Sequence, residues 1–315
     1  MHLMPEPLTV SIRQTPRLDN FDGLRLLGAL LVLFSHQFAL SGRWEPRFVG
    51  DHSFGNLGVL IFFAISGYLV TLSWHGDPHP GRFLMRRLLR MAPGLLLSTT
   101  LTFAVVSALG LNGFPGNPLS ALNGSLWTIP LEVYCYLLLL IIALAFSSPA
   151  LLLLGGLLVA LWYTGGQSTS SFLAYFGLFF AVGALLREQP FLRTTKATVI
   201  FVAAGTGLLC IDQTVLGLGL IVPPIAIAVG TRSWPVLRRA GRFGDLSYGV
   251  YIYAWPVQQL FVHWMGADAK YSTLVIPSLI VTSLLAYASW HLIEQPALRM
   301  KPRAQKPVDE SSPIN

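Results

Sequence analysis

The sequence predicts an all-α fold: a polytopic membrane bundle of about ten transmembrane helices with both termini cytoplasmic. Three observations predict it. The 315 residues are 53% hydrophobic and 11% charged, whereas a soluble domain carries about 25% charged residues. Apolar windows recur through the chain at 22–41, 55–74, 92–110, 125–146, 149–164, 171–187, 196–211, 214–230, 247–266 and 271–292, close to the length a helix needs to cross a bilayer. With the N-terminus inside, 17 of the 21 Lys and Arg fall on the cytoplasmic side, leaving Arg25 in the first span and Arg43, Arg47 and Lys270 outside. That asymmetry is the positive-inside rule. It accounts for the net charge of +7 without a nucleic-acid partner, and no nucleic-acid-binding motif or repeat of solenoid period is present.

These boundaries divide the chain into a cytoplasmic tail at 1–20, a membrane domain at 21–296 and a second cytoplasmic tail at 297–315. The polar, Pro-containing opening does not resemble a cleavable signal peptide, so the first apolar run stays as a span. Cys135 and Cys210 lie in apolar runs, and neither they nor the seven His residues have metal-ligand spacing, so no metal is expected.

The first span holds two ionisable residues, Arg25 and His36. Eleven residues on a helix turn through about 1100°, leaving the two about 20° from eclipsed and roughly 16 Å apart along the axis. Arg25 sits near the cytoplasmic entry, where its stem can snorkel, and His36 lies well inside the bilayer. A packed core histidine is the plain alternative, but ionisable residues inside membranes generally mark function.

Between the second and third spans, Arg82, Arg86, Arg87 and Arg90 follow Pro78, Pro80 and Gly81. Their spacing predicts an amphipathic interfacial helix with arginines on one face. Four arginines and no lysine suit bidentate phosphate contacts better than diffuse attraction to lipid headgroups, which is the other reading. The outward loop 111–124 leads into Ser125-Leu126-Trp127, and Glu132 follows as an acidic residue deep within an apolar run. A carboxylate there costs several kcal/mol unless it is paired, protonated or hydrated, so Glu132 is either a functional group or a structural partner of a neighbouring helix. We expect it to pair with His36, because the two lie at similar depth if their helices enter from opposite sides. The tyrosines and small residues of Phe243–Tyr253 read as packing, and His263, His291 and Glu294 as helix-end groups.

These blocks, in this order, resemble the integral-membrane acyltransferase family 3, bacterial enzymes that modify surface polysaccharides, lipopolysaccharide, Nod factors and some macrolides. Leu18 to His36 resembles the family's Arg-x10-His opening. Phe62-Phe63-Ala64-Ile65-Ser66-Gly67 resembles its second-helix motif, and Arg86-Arg87-Leu88-Leu89-Arg90-Met91-Ala92-Pro93 its cytoplasmic Arg-x-x-Arg block. Ser125-Leu126-Trp127 through Glu132, Leu246-Ser247-Tyr248-Gly249 and Glu294-Gln295-Pro296 match the later helices. The chain departs from the family pattern at Leu26, where Gly is common, at Gly94, where an aromatic is common, and at Ala254, where His is common.

The resemblance implies transfer of an acyl group, most simply acetyl, from cytoplasmic acyl-CoA to a hydroxyl of a carbohydrate or glycosylated acceptor, in the bacterial inner membrane. His36 and Glu132 would then be catalytic, with His36 as general base, and Arg25, Arg86, Arg87 and Arg90 would hold the acyl-CoA phosphates. Direct transfer and an acyl-histidine intermediate both stay open. The competing class is a proton-coupled transporter or flippase with His36 and Glu132 as its relay. It leaves the arginine block unexplained and would predict internal repeats.

Overall fold

The computed structural model describes residues 19–145, 154–155, 157–158, 169–232 and 234–302. Most of the span expected at 149–164 and most of both tails lie outside the described residues. The described chain is almost wholly helical, with one two-stranded hairpin.

Helix α1 (Asp19–Leu40) ends in a loop that folds back as the antiparallel strands β1 (Arg47–Val49) and β2 (His52–Ser53). Ser53 then caps α2 (Phe54–Gly76), its hydroxyl accepting the Asn56 N–H at 3.2 Å, which satisfies one of the backbone donors a helix start leaves free. The remaining long elements are α3 (Pro80–Ala108), α4 (Thr128–Ala145, entered through a tight turn at Gly124–Trp127), α5 (Thr169–Glu188), α6 (Thr195–Cys210) and α7 (Thr214–Gly230). A short α8 (Pro235–Ala240) leads to α9 (Ser247–Met265) and α10 (Tyr271–Ser289), and α10 runs on through a π-turn at Trp290–Glu294 into α11 (Gln295–Arg299).

Among the described residues six helices are long and apolar enough to cross a membrane, which makes this a multi-pass membrane protein. They are α1, α2, α3, α4 with its leading turn, α5, and α10 with its extension. Helices α6 and α7 are apolar but shorter. Helix α9 carries Gln258, Gln259 and His263 and is buried along most of its length from Ser247 to Val262. A helix enclosed by others has no need of a lipid-facing surface, so its side chains can be polar if they are bonded. Gln258 donates to Leu33 O at 2.8 Å, and Gln259 to Leu119 O at 2.7 Å and Ala121 O at 2.9 Å.

The interfacial helix and third span expected from the sequence are one helix. Arg82 to Arg90 form the opening turns of α3, which continues through Pro93 to Ala108. Proline inside a helix forfeits a single backbone hydrogen bond, and packing against neighbours tolerates that loss in membrane helices.

The tightest helix contact joins α2 and α5. A Cβ added at Gly67 would lie 2.0 Å from Phe180 O, and one at Gly183 would lie 2.1 Å from Ala64 O. Without side chains at these positions the two backbones meet directly, the small-residue packing that substitutes for a hydrophobic drive inside lipid. This contact fixes the depth of Ser66, and Ser66 in turn fixes the site.

Candidate active site

Arg25, Arg87, Arg90, Arg242 and Lys301 converge on one cavity of about 910 Å³, shared with Asp22, Glu132 and Asp245. Helices α1, α2, α3, α4 and α9 and the π-turn after α10 form its walls. All the arginine-bearing ends lie together because α1 and α9 begin here while α2 and the α10 extension end here.

Asp245 organises the cluster. Its Oδ2 accepts from Arg25 Nη1 at 3.2 Å and from Arg90 Nη2, while its Oδ1 accepts from the Ser247 hydroxyl at 2.5 Å. Burial pushes the Asp245 carboxyl up, but Arg90, Arg25 and Ser247 outweigh it and hold the group below the usual carboxylate range. Asp245 therefore stays ionised and pins two guanidinium groups that would otherwise repel. Arg90 also lies 5.8 Å from the Trp290 ring centroid. Arg87 donates to Ser73 at 3.1 Å and lies 5.9 Å from the Tyr136 ring centroid, and its buried Nε has no partner among the described residues.

Arg86 is turned away from this cavity. It donates to Asp77 Oδ2 at 2.5 Å, and Arg82 donates to the same carboxylate at 2.6 and 2.9 Å. Their hydrogen bonds hold Asp77 well below the ordinary carboxylate range. The physical reason is helical geometry. Successive positions are rotated by about 100°, so Arg82 and Arg86 face the α2–α3 turn while Arg90 and Arg87 lie further round the fan. Of the four arginines expected to hold phosphate, the structure brings Arg25, Arg87 and Arg90 together and gives Arg86 to Asp77.

Glu132 accepts from Ser66 Oγ at 2.9 Å and from the Tyr136 hydroxyl, and Ser66 and Tyr136 are 3.2 Å from each other. The expected direct pairing with His36 is not present. Phe21 of α1 stacks on Tyr68 of α2 at 5.6 Å, so Ser66, two residues away, is level with the start of α1. Glu132 shares the depth of Arg25. His36 lies about 16 Å further along α1, with its ring edge-on to Trp255 at 4.9 Å and its buried Nδ1 without a hydrogen-bond partner among the described residues. Trp255 covers Gly124, where a Cβ would sit 2.5 Å from its ring, and Gly124 precedes Glu132 by about 12 Å of helix. Both routes separate the two groups by several helical turns. The depth expected from the sequence failed because α4 starts lower relative to α1 than symmetric entry into a bilayer would put it.

The histidine thus lies beyond the cavity that holds the arginines, which reaches as far as Val59, Thr128 and Tyr251 and does not include His36 in its lining. Asp245, Ser66, Tyr136, Tyr248 and Lys301 were not singled out from the sequence, although Asp245 carried a signal as a carboxylate close to the start of an apolar run. Gly94 has a steric role here. A Cβ at that position would lie 2.9 Å from Tyr248 and 3.3 Å from the Glu294 carboxyl, and the Tyr248 hydroxyl donates to Met91 O at 2.8 Å.

A deep cavity with cationic side chains at one end, inside a helical membrane bundle, is a site with the charge to hold an anionic ligand. Comparison with known families narrows this. The model of acyltransferase family 3, described as an acyltransferase domain, matches residues 18–291, and the chain belongs to that family. Among its relatives are an O-acetyl transferase of Shigella phage Sf6, 30% identical with 87% of this chain and 94% of the relative covered, and Nodulation protein 10 of Rhizobium leguminosarum bv. viciae, 27% identical with 90% and 94% covered. A putative membrane-bound transacylase, BcsY, of Komagataeibacter xylinus is 25% identical, with 91% and 85% covered. No solved structure matches the chain.

Proposed function

We propose that this protein is a bacterial inner-membrane O-acyltransferase that moves an acyl group, most simply acetyl, from cytoplasmic acyl-CoA to a hydroxyl of a carbohydrate acceptor. The observation that carries the reading is the convergence of five cationic side chains, Arg25, Arg87, Arg90, Arg242 and Lys301, on one cavity. Coenzyme A brings several phosphate charges, and planar guanidinium groups are the side chains best matched to them. The relatives' names point to transferases.

In this reading the phosphates rest at the arginine end and the pantetheine arm extends along the path toward His36. The His36 imidazole takes the proton of the acceptor hydroxyl as its oxygen attacks the thioester carbonyl. A C–O bond forms, the C–S bond breaks, and the CoA thiolate leaves with the proton that His36 returns. In this reading His36 and Glu132, being apart, take different tasks. Glu132, holding Ser66 and Tyr136 beside Arg87, shapes the channel for the arm rather than orienting the imidazole. A proton relay through His36 and Glu132 would need them in contact or bridged by water, and it gives the arginines no role. Incubating the purified protein with labelled acetyl-CoA and deacylated surface glycan tests the reading: label appears in base-labile esters on the glycan, and its absence would overturn the proposal.

Lys301 gives the reaction a pH dependence. Burial and the nearby Arg90, Arg87, Arg86 and Arg25 lower its ammonium to about 8. The side chain is charged below that value and neutral above it, so acetyl-CoA affinity falls as pH rises from 7 to 9.5. Titration calorimetry across this range should show the step in the wild type and a flatter profile for Lys301→Met. An identical step in both proteins would remove Lys301 from the phosphate site.

The apolar windows and the charge distribution support a topology of ten spans with both termini cytoplasmic. Single cysteines at Ser120 and Pro307, in a Cys210→Ser background, label with an impermeant maleimide from outside and inside respectively. Labelling of both from one side would reverse this assignment.

A further inference from the structure

At the end of the bundle opposite the arginines, the loop between α1 and α2 encloses a second cavity of about 300 Å³, lined by Trp44, Glu45, Asp51, His52 and Asn56 among others. Trp44 stands 72% exposed, leaving a large aromatic face uncovered. The other lining groups are held in place. Glu45 accepts from the Ser35 hydroxyl, and Ser35 Oγ accepts the Gly55 N–H at 2.9 Å, clipping the loop onto α1 one residue before His36. His52 stacks on Tyr175 with centroids 5.6 Å apart and planes 10° off parallel, and Tyr175 donates to Asn56 Oδ1 at 2.8 Å. Asp51 pairs with Arg47.

Resting on the acyl-transfer reading above, we propose that this cavity is the acceptor subsite and that it binds a neutral pyranose unit. Trp44 offers a flat apolar face to the C–H surface of a sugar ring, a contact that gains from burying exposed aromatic area. Asn56, Glu45 and Asp51 supply the in-plane donors and acceptors that ring hydroxyls need. Charge selects the class of sugar. Glu45 and Asp51 outnumber Arg47, so the cavity carries no positive surplus to attract a uronate or a phosphorylated sugar. The link through Ser35 holds the cavity at the level of the turn of α1 that bears His36, at the end of the bundle away from the arginines.

The probes are the neutral and the uronate-containing oligosaccharides released by mild acid from the surface polysaccharide of the producing cells, with their esters removed by base. With labelled acetyl-CoA, the wild type acetylates the neutral fraction. Trp44→Ala raises its KM at least tenfold while kcat at saturating acceptor and acetyl-CoA affinity stay unchanged, and Trp44→Phe recovers most of the loss. An unchanged acceptor KM in Trp44→Ala, a fall in kcat alone, or transfer confined to the acidic fraction would overturn the subsite. Binding is read separately as the fluorescence quenching that the wild type shows and Trp44→Phe lacks when the neutral fraction is added. Quenching without transfer would count against the acyl-transfer reading and leave the subsite standing, and no Trp44-dependent quenching would overturn the subsite whatever the chemistry.

Discussion

Replacing His36 with alanine lowers acyl transfer by about 10²- to 10⁴-fold, the usual contribution of a positioned general base, and leaves acetyl-CoA affinity within about twofold of wild type by the ordinary tolerance of distant, independent sites. Distance separates the two effects. His36 lies about 16 Å along α1 from Arg25, shares no hydrogen bond with the arginine cluster, and contacts Trp255, so removing its ring leaves the phosphate end intact. Isothermal titration with acetyl-CoA and a labelled-transfer assay on the same preparation measure both quantities. Glu132→Gln behaves differently. The amide keeps an oxygen for Ser66 and Tyr136 but loses the charge beside Arg87, so acetyl-CoA affinity changes together with turnover. An active His36→Ala variant would end the catalytic assignment, and a Glu132→Gln variant that lost turnover with affinity untouched would argue that the two groups act as one unit after all.

Arg87→Ala and Arg90→Ala each weaken acetyl-CoA binding. Every charge-assisted contact to phosphate is worth about 1.5–3 kcal/mol, equivalent to roughly ten- to 150-fold in Kd. Their side effects differ, which makes the pair informative. Arg87 donates to one hydroxyl, Ser73, so its loss costs little stability. Arg90 shares the buried Asp245 with Arg25, and truncating it strands a carboxylate with half its compensation, which is destabilising. Arg90→Ala should therefore melt at lower temperature than Arg87→Ala even without ligand. Lysine restores only part of the affinity at either position, since a point charge does not replace a planar fork. Arg86→Ala is the control, because it acts on the Asp77 turn and leaves the cavity's lining unchanged. If all three alanine variants bind acetyl-CoA like wild type, the arginine block anchors lipid headgroups instead.

Much of this protein was legible in its residues. Hydropathy and the distribution of arginine and lysine depend only on what each segment touches, lipid or water, so the helical class, the positions of the long apolar helices and the meeting of Arg25 with Arg87 and Arg90 at one end could be read from local composition. Motif order carried the family, which the comparison bears out across residues 18–291. Helix α9 shows where such reading weakens: its glutamines bond to the backbone of α1 and of the loop before α4, so its polarity reflects enclosure rather than solvent.

What the sequence left undecided were relations between elements. The depth of Glu132 against His36 depends on how far α4 slides along α2, and that is set by the Ser66 hydroxyl and by the glycine contact of α2 with α5, neither of which leaves a trace near residue 132. The division of four neighbouring arginines between Asp77 and the cavity depends on which carboxylates the folded chain brings within reach, and Asp245 is over 150 positions away from Arg90. Local sequence determines what each helix is made of and which end of it is charged. The register of one helix against another is fixed by packing and hydrogen bonds between residues distant in the chain, and in this protein that register decides which charged groups share the site.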